Sequence, residues 1–166
     1  MATKQIDTGD AVKLNLDEKV VVRSICPWHT SFNKLTSDVG AITFAPKGTA
    51  RVSRAEIIAQ IENNNRAFGI DDYGSHACLI IEDEATRQYL DFDSKDGKRK
   101  QLIVNEENLK KVFEYKTFDC FKKHFAALVM TRAEKSHCLQ LIKKLEFNEY
   151  DKIIFAREHC KFSLSK

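Results

Sequence analysis

The stretch QLIVNEENLKKVF, residues 101–113, is where the chain changes from strand-like to helix-like patterning. Before Asn105, apolar residues come in short runs separated by turn signals. After it, apolar residues recur every three or four positions, and the first two residues of the new pattern are glutamates, which favour the positive end of a helix dipole. The switch predicts a β-rich subdomain over residues 18–104 and a helical subdomain over 105–166.

On the N-terminal side of this switch, alternating apolar residues predict two β-hairpins. The first spans residues 42–52 and turns at a Lys-Gly pair, and the second spans residues 89–104 and turns at an Asp-Gly pair. Between them, Ser53 followed by Glu56 fits a capping box, so one helix is predicted over 53–65. A polar arm, residues 1–17, precedes the first strand.

On the C-terminal side, helix caps recur at short intervals. The predicted caps are Asn105, Thr117, Thr131 and Asn148, each followed by apolar residues at helical spacing. Four short helices with short connections indicate a small bundle. Strands first and helices afterwards favour the α+β class: a mostly antiparallel β subdomain with one helix, then a C-terminal helical bundle.

Composition excludes several classes of protein. The 166 residues carry 27 Lys plus Arg against 24 Asp plus Glu, and a net charge of +3 is too small to indicate a polyanion as the main ligand. Eleven Phe argue against disorder. No apolar run approaches the roughly 18 residues of a membrane helix. Five cysteines, an odd and evenly spread set, are typical of a reducing compartment, so we expect a cytoplasmic protein with no membrane partner.

Cys26 and His76 are the residues that would carry catalysis if the protein were an enzyme. Pro27 is typical of a first helical position, and Trp28 and Phe32 follow at helical spacing, so Cys26 is expected at a helix N-terminus, where the dipole favours a thiolate. His76 opens an apolar run and is expected at the start of a strand.

Cysteine on a helix followed by histidine on a strand is similar to the order in NlpC/P60-type, papain-like hydrolases. That resemblance implies a cysteine hydrolase as an alternative function. The glycines that usually surround such a nucleophile are missing around Cys26, and nothing selects an orienting group among Glu82, Asp83 and Asp91. We therefore expect no catalytic residues.

Four basic residues lie near the tip of the second predicted hairpin and could contact phosphates: Lys95, Lys98, Arg99 and Lys100. They make a nucleic-acid-binding accessory protein a further alternative. No cysteine pair has the regular spacing of a structural zinc site, and no glycine-rich phosphate loop is found. The sequence therefore predicts neither a metal nor a cofactor.

Residues 40–83 carry one resemblance. The segments GAITFAPKGTARVSRAEIIAQ and GSHACLIIED look like those of small virion-associated structural proteins of tailed bacteriophages. The resemblance implies a capsid-decorating, connector or packaged role in a virion assembled in the host cytoplasm. Its partners would be other protein subunits of that assembly.

A non-enzymatic protein of this kind binds through a few aromatic or arginine anchors. Trp28, Phe68 and Tyr73 are the predicted anchors, because each lies beside turn signals. The function expected from the sequence is therefore protein–protein contact.

Overall fold

The structure is a computed structural model that describes residues 13–37 and 39–161. The predicted polar arm, 1–17, lies outside the described residues except for its last five. Within the described part, the antiparallel strands all lie before residue 82 and four helices follow residue 105, which confirms the α+β class.

Among the described residues, five short strands form two antiparallel sheets. The strands are β1 (Lys19–Ser24), β2 (Thr30–Asn33), β3 (Ala41–Phe44), β4 (Thr49–Ser53) and β5 (Leu79–Ile81). The larger sheet has the order β4-β1-β5, and the smaller one pairs β2 with β3.

Strand β1 is central because its β-branched residues suit a sheet buried on one face. Val20 and Val22 are buried and alternate with more exposed neighbours. Val20 pairs with Val52 of β4, and Val22 pairs with Ile81 of β5. These pairs place one apolar face of the sheet against helix α1 (Arg54–Glu62).

The hairpin predicted over residues 42–52 is wrong in its pairing. A tight turn does form there, with the Gly48 N–H donating to the Ala45 carbonyl at 2.8 Å. The strands on its two sides separate, however, since β3 pairs with β2 and β4 pairs with β1. The turn therefore carries the chain from one sheet to the other.

The helix predicted after Pro27 is also wrong. The chain leaves β1, passes Cys26 in a loop and forms β2 instead. Phe32 packs from β2 against Phe44 and Phe68, with ring centroids 6.1 Å and 5.8 Å apart. The local spacing of apolar residues favours a helix here, but the packing of Phe32 against aromatic residues distant in the sequence favours a strand.

The hairpin predicted over residues 89–104 is wrong as well. Asp83 caps a short helix, α2 (Glu84–Tyr89), so the β-rich part has two α-helices rather than one. The Asp-Gly turn remains as the tip of a loop in which the Ser94 N–H donates to the Arg99 carbonyl at 2.8 Å. Between residues 84 and 104, all of which the structure describes, the chain is helix, turn and loop with no paired strand.

The prediction of four C-terminal helices is confirmed, and the helix predicted over 53–65 is confirmed as α1, which ends earlier. Ser53, Asn105, Thr117 and Thr131 cap helices through their side chains, while the last helix begins after Glu149 rather than at Asn148. The C-terminal helices are α3 (Glu106–Phe113), α4 (Phe118–Leu128), α5 (Arg132–Leu145) and α6 (Tyr150–His159).

Most buried apolar residues of the described chain gather in two large clusters, one in the helical part and one in the β-rich part. The larger is built on Phe113, Phe121 and Phe125 of the C-terminal helices. The other lies between the larger sheet and α1. A small third cluster joins Ile25 and Cys26 to Ala133 of α5, so the N-terminal part of α5 packs against the end of β1.

Candidate functional site

The loop from Gly69 to Gly74 is closed tightly at its base. Both glycines have positive φ, and a Cβ on Gly69 would lie only 2.4 Å from the Gly74 Cα, so the close approach requires glycine. The Ile70 N–H donates to the Ser75 carbonyl at 2.9 Å. The Asp71 carboxylate accepts from the N–H groups of Tyr73 and Ser75 at 2.9 and 3.0 Å. The loop is therefore held in shape by its own backbone and by the Asp71 carboxylate.

Tyr73 projects from this loop and is 52% exposed. The guanidinium carbon of Arg99 lies 4.3 Å from the centroid of its ring, a cation–π contact. Arg99 is held in turn, because its Nη2 donates to the Asp91 carbonyl at 2.6 Å. Ile70, in the same loop, is 47% exposed. We call Ile70, Tyr73 and Arg99 the Tyr73 surface.

The four basic residues predicted near the Asp-Gly turn have different surroundings in the structure. Arg99 covers Tyr73, and the Lys100 ammonium lies 3.5 Å from the Glu84 carboxylate and 3.9 Å from that of Asp93. Lys95 and Lys98 are exposed at the tip of the loop. Two of the four side chains thus have partners within the chain.

The other two predicted anchors differ from each other. Trp28 is 44% exposed and lies in the loop between β1 and β2. Phe68 is buried in the core of the β-rich part, edge-on to Phe32. As a surface anchor Phe68 is therefore a wrong prediction, because its ring is needed to fill the core.

His76 has a partner that the sequence did not indicate. Its Nδ1 lies 2.9 Å from Oε2 and 3.2 Å from Oε1 of Glu134, which is fully buried on α5. Oε1 of Glu134 also accepts from the Thr131 N–H at 3.0 Å, completing the capping box of α5. His76 has a φ of 59° and lies before β5 rather than in it. The pair therefore joins the β-rich part to the helical part.

Cys26 lies in a different setting from the one predicted. It follows β1 in a loop, and its backbone carbonyl accepts from the Lys47 N–H at 2.9 Å. A hydrogen bond from the Cys78 thiol, together with the nearby Ser24 hydroxyl and the charge of Lys47, outweighs burial and lowers the pKa of Cys26 to about 6. The hydrogen bond to Cys26 and burial raise the pKa of Cys78.

A papain-like site would need the histidine to contact the thiol. Glu134 supplies the carboxylate that orients His76, in place of the three acidic residues considered from the sequence. Among the described residues, however, the contacts that shift the pKa of Cys26 come from groups other than His76. The His76–Glu134 pair and the Cys26 thiol therefore have different hydrogen-bond partners.

The ionisation of Cys26 gives a direct prediction. We expect the ultraviolet absorbance of the thiolate to rise in a step near pH 6 in the folded protein, because Cys78 and Lys47 stabilise the charged form. The step should disappear in Cys26→Ser and persist in Cys120→Ser, which removes an exposed thiol. A titration that shows only thiols of ordinary pKa would contradict this assignment.

No group of three or more metal-binding side chains comes together within residues 13–37 and 39–161. In the same ranges, no helix is both long and apolar enough to cross a membrane. Comparison with protein families, with curated proteins and with solved structures found no match for this chain.

Proposed function

We propose that this protein is a non-enzymatic interaction protein that binds a partner protein through the Tyr73 surface. The observation that carries the proposal is the exposed Tyr73 ring, held by a closed loop on one side and by Arg99 on the other. Tyrosine and arginine are the residue types that most often dominate binding energy. A loop that is ordered before binding loses little conformational entropy when a partner docks.

The charges around the Tyr73 surface favour a protein rather than a nucleic acid. Asp71 and Asp72 lie in the same loop as Tyr73, and Asp96 lies in the loop of Arg99. These carboxylates would repel a run of phosphates, whereas mixed charges are usual at the rim of a protein interface. The nucleic-acid alternative is therefore the weaker of the two.

The kind of assembly is proposed from the sequence. The resemblance of residues 40–83 to phage virion proteins supports a more specific proposal, that the protein is a component of a virion. The Tyr73 surface supports protein–protein contact of any kind.

Substituting Tyr73 tests the proposal. Tyr73→Ala is expected to weaken binding to the native partner by about 30-fold, the effect of losing one anchor of about 2 kcal/mol. Tyr150→Ala is the matched control, because Tyr150 is 74% exposed but lies on α6 in the helical part.

The partner is first captured with a photoreactive benzoylphenylalanine placed at position 73 or at position 150 in cells of the native source. A defined adduct from position 73 and not from 150 supports the proposal, and affinities of the purified pair then follow. Equal crosslinking from both positions, or hydrolysis of a peptide that Cys26→Ser abolishes, would overturn it.

A further inference from the structure

Four of the five cysteines lie in two contacting pairs. Cys26 and Cys78 pack in one small apolar cluster, Cys138 and Cys160 lie in the core of the helical part, and within each pair one thiol shifts the pKa of the other. Cys120 is exposed on α4. The first pair is also held by the backbone, because the Ile25 N–H donates to the Cys78 carbonyl at 3.0 Å where β1 and β5 meet.

The two pairs have different surroundings. Cys138 and Cys160 are fully buried in the aromatic core of the helical part. Cys26 is only 2% exposed, but Cys78 is half-buried, so the first pair lies at the edge of its core. A small molecule can reach this edge more readily than the centre of the helical core.

Lys47 distinguishes the first pair further. Its backbone N–H donates to the Cys26 carbonyl, and its Nζ is buried without a hydrogen-bond partner among the described residues. Burial lowers the pKa of Lys47, and the negative charge of a Cys26 thiolate offsets part of that effect. A buried amine without a hydrogen-bond partner requires an explanation, and a neighbouring thiolate provides one.

We propose that Cys26 and Cys78 form a redox pair in which a small hydroperoxide oxidises Cys26 and Cys78 resolves the product. Cys26 is the attacking sulfur because Lys47 and the Cys78 thiol stabilise its charged form. Cys78 is the resolving sulfur because it already contacts Cys26 and keeps its proton. This pair is independent of the Tyr73 surface.

The proposed oxidation of Cys26 and Cys78 by hydrogen peroxide takes place in two steps. The Cys26 thiolate attacks one oxygen of hydrogen peroxide, an S–O bond forms, the O–O bond breaks, and the hydroxide takes up a proton and leaves as water. The Cys78 thiol then loses its proton and attacks the Cys26 sulfenic acid. An S–S bond forms, the S–O bond breaks, and the hydroxyl leaves with that proton as a second water. Two thiols are oxidised and one peroxide is reduced to two waters.

The experiment uses the full chain carrying Cys120→Ser, treated with hydrogen peroxide and mapped by mass spectrometry without reduction. The expected product is a Cys26–Cys78 disulfide that dithiothreitol reverses, formed while Cys138 and Cys160 stay reduced. In the added Cys78→Ser variant, dimedone should trap a sulfenic acid on Cys26. Preferential oxidation of Cys138 and Cys160, or a Cys26 that peroxide leaves reduced, would overturn the proposal.

Lys47→Gln tests the role of the amine. Because the thiolate fraction at pH 7 falls as the pKa of Cys26 rises, oxidation should slow by up to about twofold. Lys95→Gln is the matched control, since Lys95 is exposed in the 94–100 loop and should leave the rate unchanged. If Lys47→Gln fails to fold, the pH dependence of the Cys120→Ser rate replaces it. A rise in that rate centred near pH 6 supports the proposal, and one centred near the ordinary thiol pKa overturns it.

Discussion

Glu134→Ala is expected to lower the free energy of unfolding by about 3–5 kcal/mol, the combined effect of leaving buried hydrogen-bond partners unsatisfied and removing part of a helix cap. The carboxylate is fully buried, and it accepts hydrogen bonds from the Thr131 N–H and pairs with His76 Nδ1. Its loss leaves these groups without an acceptor and removes the capping box of α5. Urea unfolding at neutral pH measures the change.

Two further variants show whether the loss of stability comes from the buried His76–Glu134 pair. Glu107→Ala removes a glutamate from the first turn of α3, where it is exposed and paired with Lys111, so it should change stability by at most about 1 kcal/mol. In a double-mutant cycle, His76→Ala should add little once Glu134 is gone. Equal losses for Glu134→Ala and Glu107→Ala would show that the buried pair does not stabilise the junction.

Glu56→Gln is expected to lower the free energy of unfolding by about 3 kcal/mol at pH 7. Burial raises the pKa of Glu56, but hydrogen bonds from the Thr36 hydroxyl, Gln60 and the N–H groups of Leu35 and Thr36 outweigh it and lower the pKa to about 2. Each tenfold change in proton affinity corresponds to about 1.4 kcal/mol, so the fall from 4.5 to about 2 gives this magnitude. The carboxylate thereby ties residues 35 and 36 to α1.

The sign of the pH dependence follows from the direction of the shift. Because the folded protein holds this proton less tightly than the unfolded chain, the stabilisation is complete above pH 4.5 and is lost as the pH falls toward 2. The difference in free energy of unfolding between wild type and Glu56→Gln, measured by urea unfolding, should therefore fall to zero as the pH decreases over that interval. Glu62→Gln, at the exposed end of the same helix, is the control. A gap that stays constant with pH would contradict the assignment.

Most of the helices were predictable because a cap acts within a few residues, although the equally local Asp83 cap of α2 was missed. Ser53, Asn105, Thr117 and Thr131 each accept from an N–H three residues onward, and that geometry requires only the local sequence. The cap expected at Asn148 missed by one residue, since Glu149 takes the position without a side-chain bond.

Strand pairing was not predictable in the same way. The turn at Lys47 and Gly48 was predicted correctly, yet the partners of β3 and β4 depend on which apolar faces the rest of the chain covers. Residues 84–89 became a helix through the Asp83 cap, where turn signals and alternation had indicated a strand nearby. The α+β class survived these errors because it depends on the order of element types and not on their pairing.

The helix starts, the change of pattern at Asn105 and the exposed position of Tyr73 beside its turn all follow from local sequence. Which side chains meet depends instead on the folded chain, which places Arg99 over Tyr73, Glu134 against His76, and Cys78 beside Cys26. The members of these pairs are separated by 26, 58 and 52 residues along the chain. Contacts between residues so far apart depend on how the two cores pack. Packing is driven by the burial of whole apolar faces, and the local spacing of residues does not show which faces will meet.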